Sequence, residues 1–261
     1  MTTQISAAPW YDDFDPANDY HQILFKPSYA VQARELTQLQ SILRDQIAKF
    51  GSHIFKHGSV VIPGNTTTDL TICYVKVIPS AYKVVDYVGQ TIVGSSGLKA
   101  IIRAGIAATT GDPDTLYVSY YNTGTAGESV FSAAETLSIA GSSAYFVAGA
   151  GTPTGGAAMA FINTGVFFIN GSFVNVAKQS VVIGKYTNTP SCSVLLQINE
   201  SIIDVSSDNS LYDPAQGSNN YAAPGADRIK ITLTLTSLAL SDTITASKLR
   251  AISAVTLSGG S

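Results

Sequence analysis

Charge is scarce in this chain. Of its 261 residues only 13% are Asp, Glu, Lys or Arg, about half the share usual for a soluble domain, so the surface must be largely neutral. Fifteen Lys and Arg stand against 18 Asp and Glu, a net charge of −3. That balance supplies no cationic field for phosphate backbones or anionic lipid, and nucleic acid drops out of the expected partners. Cysteine is nearly absent. Cys73 and Cys192 lie in strand-like runs without partners at metal-ligand spacing, which reads as two reduced, buried thiols with no functional message. Long apolar runs are missing too. The charge-free stretch between Glu135 and Lys178 is broken by Pro153 and repeated glycines, so it reads as buried sheet and no membrane insertion is expected. The start, "MTTQISAAPWYDDFD", has neither the basic residues nor the apolar run of a secretory signal, and the chain is expected to fold in a cytosol.

Catalytic signatures are equally thin. There is no G-x-S-x-G elbow, no G-x-x-x-x-G-K-[ST] phosphate loop and no G-x-G-x-x-G opening a helix, so neither an enzyme nor a cofactor is expected. His53 and His57 stand four apart, a metal-pair spacing without a neighbouring Cys, Asp or Glu; a surface or interface role is the expectation. Asp13, Asp15, Asn18 and Asp19 crowd like a calcium loop but lack its Gly and closing Glu. Asp204, Asp208, Asn209 and Asp213 fall in a polar loop, where capping of turns is the ordinary use of such side chains.

What the chain does have is one long helical pattern, "YAVQARELTQLQSILRDQIAKFGSHIF". Pro27 disfavours helix at Lys26 and Ser28 suits an N-cap, so the helix is predicted to begin near Tyr29 and to fill residues 28–57. Leu36, Leu39, Leu43, Ile47, Phe50 and Ile54 follow at steps of 3, 4, 4, 3 and 4, which at 100° per residue makes one narrow stripe, with Ile42 outside it. Burying all six is worth roughly 9–18 kcal/mol, an upper figure. The step of eleven from Leu36 to Ile47 is 3.67 residues per turn, so a long left-handed coiled coil is not specified and a short, nearly straight bundle is compatible. Two arrangements would hide the stripe: packing on the protein's own sheet, or contact between copies around a symmetry axis. Ahead of the helix, residues 1–27 mix Trp10, Tyr11, Phe14, Tyr20 and Phe25 with aspartates, the composition of an extended arm that docks its rings on another surface.

From Gly58 onward the period changes to that of strands. "GVFFINGSFVNV" contains Asn170-Gly171, the preferred type I′ hairpin turn, which pairs Phe168 with Phe173 and Phe167 with Val174. Both faces of this hairpin are apolar, so both should be covered. Ile229, Ile231, Leu233 and Leu235 alternate with polar residues as in a half-buried strand. The expected fold is mainly β with one long N-terminal α-helix: an antiparallel sheet domain, residues 58–84 and 151–261, carrying a small β module inserted at 85–150.

The blocks "PWYDDFDPANDYHQILFKPSYAVQARELTQLQSILRDQIAKFGSHIFKHGSVVIPG", "GVFFINGSFVNV" and "YDPAQGSNNYAAPGADRIKITLTL" resemble an uncharacterised domain family at the N-termini of tail-fibre and baseplate proteins of contractile-tailed bacteriophages. The resemblance covers most of residues 9–63 and 154–236. It implies a structural virion protein assembled in the host bacterial cytoplasm into the tail, with other tail, baseplate or fibre proteins as partners, no cofactor, and a homo-oligomer, by analogy a homotrimer. Relatives continue into long fibre-like regions where this chain ends in "LSGGS", so the expected role is an adaptor or wedge component. The alternative is a receptor-binding tail-fibre head that presents loops of the 85–150 module to host glycan.

Overall fold

The computed structural model describes residues 4–243 and the backbone of 248–250 and 256–257; expectations that fall on 1–3 and on the rest of the C-terminal stretch lie outside the described residues. Among the described residues the chain is mainly β, with a single α-helix near the N-terminus and antiparallel sheets.

The helix, α1 (Ala33–Ile54), starts four residues later than the sequence suggests. Ser28 does not cap it: this residue sits at φ +72° in a turn of its own. The helix is opened instead by a reciprocal box in which the Glu35 carboxylate accepts from the backbone N–H of Gln32 at 2.8 Å, satisfying a donor that the first turn leaves without a partner. At the other end the Phe55 N–H donates to Gly51 O at 2.8 Å, and the chain leaves in an extended conformation.

Two short strands follow, β1 (Val60–Ile62) and β2 (Thr66–Asp69). A seven-stranded sheet comes next: β3 (Cys73–Lys76), β4 (Thr91–Gly94), β5 (Lys99–Ile106), β6 (Thr115–Tyr120), β7 (Thr136–Ile139), β8 (Tyr145–Val147) and β9 (Thr154–Gly156), in the order β8-β7-β4-β5-β6-β3-β9. It takes in β3 and β9 from either side of residues 85–150. Ile92, Ile102, Leu116, Leu137, Ile139 and Phe146 from its strands share one core, all of them buried. Alternation along β4 and β7 turns every second residue into that core, as the two-residue period of a strand requires.

The remaining strands build a second core. β10 (Ala158–Ile162) pairs with β2 and with β13 (Gln179–Gly184), while β11 (Gly165–Ile169) pairs with β1 and with β12 (Ser172–Val176). β14 (Cys192–Ile203) runs for twelve residues against β15 (Arg228–Ala239), and β16 (Lys248–Arg250) and β17 (Thr256–Leu257) pair with β14 from its other side. Ile162, Phe167, Val174, Leu196, Leu233 and Leu235 meet between these sheets. Gln179 stitches two of them: its amide donates to Leu233 O at 2.9 Å and accepts from the Leu235 N–H at 2.7 Å. The two cores touch where β6 is buried on both faces, with Tyr117 against Ile72, Ala157 and Met159. Near this seam Lys185 pairs with Asp112 at 3.0 Å, and the Tyr186 hydroxyl donates to the same carboxylate.

The hairpin of β11 and β12 has the expected register, with Phe168 opposite Phe173 and Phe167 opposite Val174. Asn170 and Gly171 both have positive φ, +47° and +80°, as a type I′ turn demands. Its cover is uneven. Phe167 and Val174 point into the second core and Phe168 lies under the helix end, but Phe173 stays 53% exposed. The expectation that both faces are closed is corrected here: Phe55 reaches only the edge of the Phe173 ring, at 5.7 Å between centroids.

Candidate protein-protein interface

The helix is docked on the protein by its small and polar side. Ile42, the apolar residue outside the stripe, is its one buried large side chain at 5% exposure. On the opposite flank of the docked face Gly51 lies under the ring of Phe168, so close that a Cβ there would come within 2.8 Å of Cε2 and Cζ. The Ser41 hydroxyl donates to the carboxylate of Asp12, a buried residue of the arm. Below the helix end, His57 Nδ1 accepts from the Asn170 N–H at 3.2 Å and Gly58 N–H donates to Phe168 O at 2.8 Å, which fastens the chain to the hairpin.

The apolar stripe consequently faces away. Leu36, Leu39, Leu43, Ile47, Phe50 and Ile54 are between 44% and 70% exposed. Packing of the stripe on the protein's own sheet, one of the two arrangements the sequence allows, does not occur. The physical reason is steric. Close approach to a hairpin tip and its ring needs residues without bulk; Ala48 supplies one under Gly171, and Gly51, at the edge of the stripe beside Ile47, supplies one under Phe168.

The aromatic arm divides into two parts. Its first part is held against the helix and β15: Trp10 Nε1 donates to Asp227 Oδ2 at 2.9 Å, and Arg34 pairs with Asp13 at 2.9 Å. Trp10 and Phe14 are half-buried there, whereas Tyr11 is exposed. Beyond Asp19 the chain runs out without regular structure, and Tyr20, Leu24, Phe25, Tyr29 and Val31 are exposed. Of the five rings of the arm, Trp10 and Phe14 are thus partly covered by this chain, and Tyr11, Tyr20 and Phe25 are left uncovered by it. A groove of about 350 Å³ lies between arm, helix and hairpin tip, lined by Asp12, Phe14, Arg44, Asp45, Ala48 and Glu200 among others.

The polar loops serve their own turns. Asp204 accepts from the Ser206 and Ser207 hydroxyls and from the Ser207 N–H, and these hydrogen bonds pull its carboxyl down to about 2. Asp208 and Asp213 accept from the backbone two residues on. Asp15 likewise caps the 3-10 turn Pro16–Asn18 through the Ala17 N–H. Cys192 is buried and Cys73 half-buried, both as free thiols, and burial pushes both up.

The stripe was readable from spacing alone; the direction it faces and the inner face were not. The inner face's trace in the sequence is a run of small residues, Ser41 and Ala48 on the side opposite the leucines and Gly51 at the edge of the stripe.

These features define a β-rich protein that presents an amphipathic helix with its apolar side turned outward. The chain belongs to the family described as a domain of unknown function, DUF4815, whose model matches residues 9–84 and 133–253. The unmatched residues between them contain β4, β5 and β6 of the seven-stranded sheet. Neither a curated protein nor a solved structure matches the chain.

Proposed function

We propose that this chain is a structural virion protein of a bacteriophage tail, a baseplate or tail-fibre attachment component that acts as an adaptor or wedge through protein–protein interfaces. The observation that carries the reading is the helix that turns six large apolar side chains away from its own sheets. Contiguous apolar surface of this kind is what assembly interfaces bury. A second feature agrees. The blocks that carry the resemblance to phage tail proteins are joined in the fold: Trp10 of the first bonds Asp227 of the third, and Phe55 of the first meets Phe168 and Phe173 of the second. These blocks thus frame the helix and hold it in place. The role calls for rigid geometry and needs no catalytic group or cofactor.

The test is electron microscopy of tails made with the chain intact and with Leu43→Glu. The intact chain is expected in the tail, and the variant is expected to yield tails lacking it or lacking what attaches through it. Complete tails that never contain the chain would overturn the proposal.

A further inference from the structure

We propose that the occupant of the stripe is the same stripe on further copies of this chain, with the helices parallel and in register about a common axis. This rests on the reading of the chain as an assembly component and names the partner of that surface.

The stripe repeats. Leu36, Leu39 and Leu43 recur eleven residues later as Ile47, Phe50 and Ile54, so the side chains fall in successive layers along one straight line, the pattern of nearly straight helices packed side by side. An occupant that fits such layers is another helix of equal length and period. Among the described residues this chain has one α-helix, and the partner always present at the same concentration is a second copy.

Charge points the same way. Identical faces that meet must tolerate themselves, and like charges brought together would repel. The stripe is flanked by Gln40 and Gln46, and the helix's charges lie to its sides: Arg34 pairs with Asp13, Lys49 pairs with Asp45 at 2.7 Å, Glu35 closes the N-terminal box, and Arg44 lines the groove beside the arm. A neutral face meets its own image without penalty, and glutamine amides can pair with one another across it.

Geometry leaves the approach open. The protein's own sheets hold the helix through Ala48 under the hairpin tip at Gly171, on the side away from the stripe, and through Gly51 at its edge. Copies arranged around an axis then carry their sheets on the outside. The exposed parts of the six side chains equal about three fully exposed residues, on the order of 500 Å² per copy. Two such faces reach the roughly 1,000 Å² that a specific interface needs.

The test uses the full chain in solution. Light scattering coupled to size exclusion should report an oligomer, and Leu43→Gln should convert it to a folded monomer with unchanged circular dichroism. Leu36→Cys and Phe50→Cys, made separately and oxidised, should each give covalent dimers that the parent chain does not. In an antiparallel pair Leu36 would face Ile54, and two cysteines at position 36 would stand about 27 Å apart, far beyond bridging distance. A monomeric parent chain, an oligomer indifferent to Leu43→Gln, or the absence of both cross-links would each overturn the proposal. The assembly reading fails separately. A monomer found in tails with its stripe on another tail protein leaves that reading standing, and a self-associating chain absent from tails removes it while leaving this one.

Discussion

A Cβ placed on Gly171 would lie 2.3 Å from the Cβ of Ala48, so the hairpin tip and the inner face of the helix meet with no room for a methyl group. Gly171 also sits at φ +80°, where side chains are strained regardless of space. Gly171→Ala therefore carries two penalties, a left-handed alanine and an overpacked contact. Together they should cost at least about 2 kcal/mol. Urea unfolding at fixed protein concentration checks this, and a variant within about 0.5 kcal/mol of the parent chain would mean the tip does not bear on the helix.

Glu135 gives the seven-stranded sheet a dependence on pH. Its carboxylate accepts from the Ser96 N–H at 3.0 Å, the Ser132 N–H at 2.7 Å and the Ser95 hydroxyl at 3.2 Å, closing two loops onto each other. Burial by itself would raise its pKa; the hydrogen bonds from Ser96, Ser132 and Ser95 outweigh burial and hold it below the ordinary carboxylate value. A depressed folded-state value means that the stabilisation is complete above the unfolded-state value and is lost as pH falls through the folded one. Glu135→Gln should destabilise the chain by about 1–3 kcal/mol at neutral pH. The two proteins should converge as pH drops from about 5 to 3. Denaturant midpoints measured across that range decide it, and a gap that stays constant with pH would contradict the role given to the ionised form.

Tyr117 is the opposite case. Its ring is fully buried at the seam between the two cores, and its hydroxyl has no hydrogen-bond partner among the described residues. A buried donor without a partner is a cost that the fold carries. Tyr117→Phe removes the oxygen and keeps the ring, so it should be neutral or stabilising by up to about 1 kcal/mol. A loss of more than 1 kcal/mol in thermal or urea unfolding would show that the hydroxyl is in fact satisfied.

Local signals in the sequence translated well into local structure. Asn170-Gly171 specified both the turn and the register of its strands, because a two-residue I′ turn leaves one pairing available. The alternation at Ile229, Ile231, Leu233 and Leu235 likewise predicted which side of β15 is covered. What spacing could not supply was direction. The leucine stripe defines a face but not its partner, and the choice fell to Ala48 and Gly51, whose significance appears only when Phe168 and Gly171 are brought against them across more than a hundred residues. The helix start was misplaced for a similar reason. Ser28 offers a standard cap, yet the Gln32 and Glu35 box four residues on closes the helix with two groups instead of one.

Neighbouring residues on α1 put the direction of the helix to a direct measurement. Ile42 is 5% exposed and Leu43 is 59% exposed, though they are adjacent, similar in size and equally apolar. If the helix is held by its inner face, Ile42→Ala leaves a cavity and should cost about 2–4 kcal/mol. Leu43→Ala should change the stability of the dilute, monomeric chain by no more than about 0.5 kcal/mol, since an exposed side chain has little packing to lose. As the concentration rises the order should shift. Leu43→Ala should then forgo the stabilisation that association lends the parent chain, whose melting temperature should climb with concentration while that of the variant stays nearly flat. Melting curves of the three proteins at two concentrations a hundredfold apart contain the whole comparison. Equal losses for the two alanine variants at high dilution would mean that the stripe, and not Ile42 with the small inner residues, anchors the helix to its own sheets.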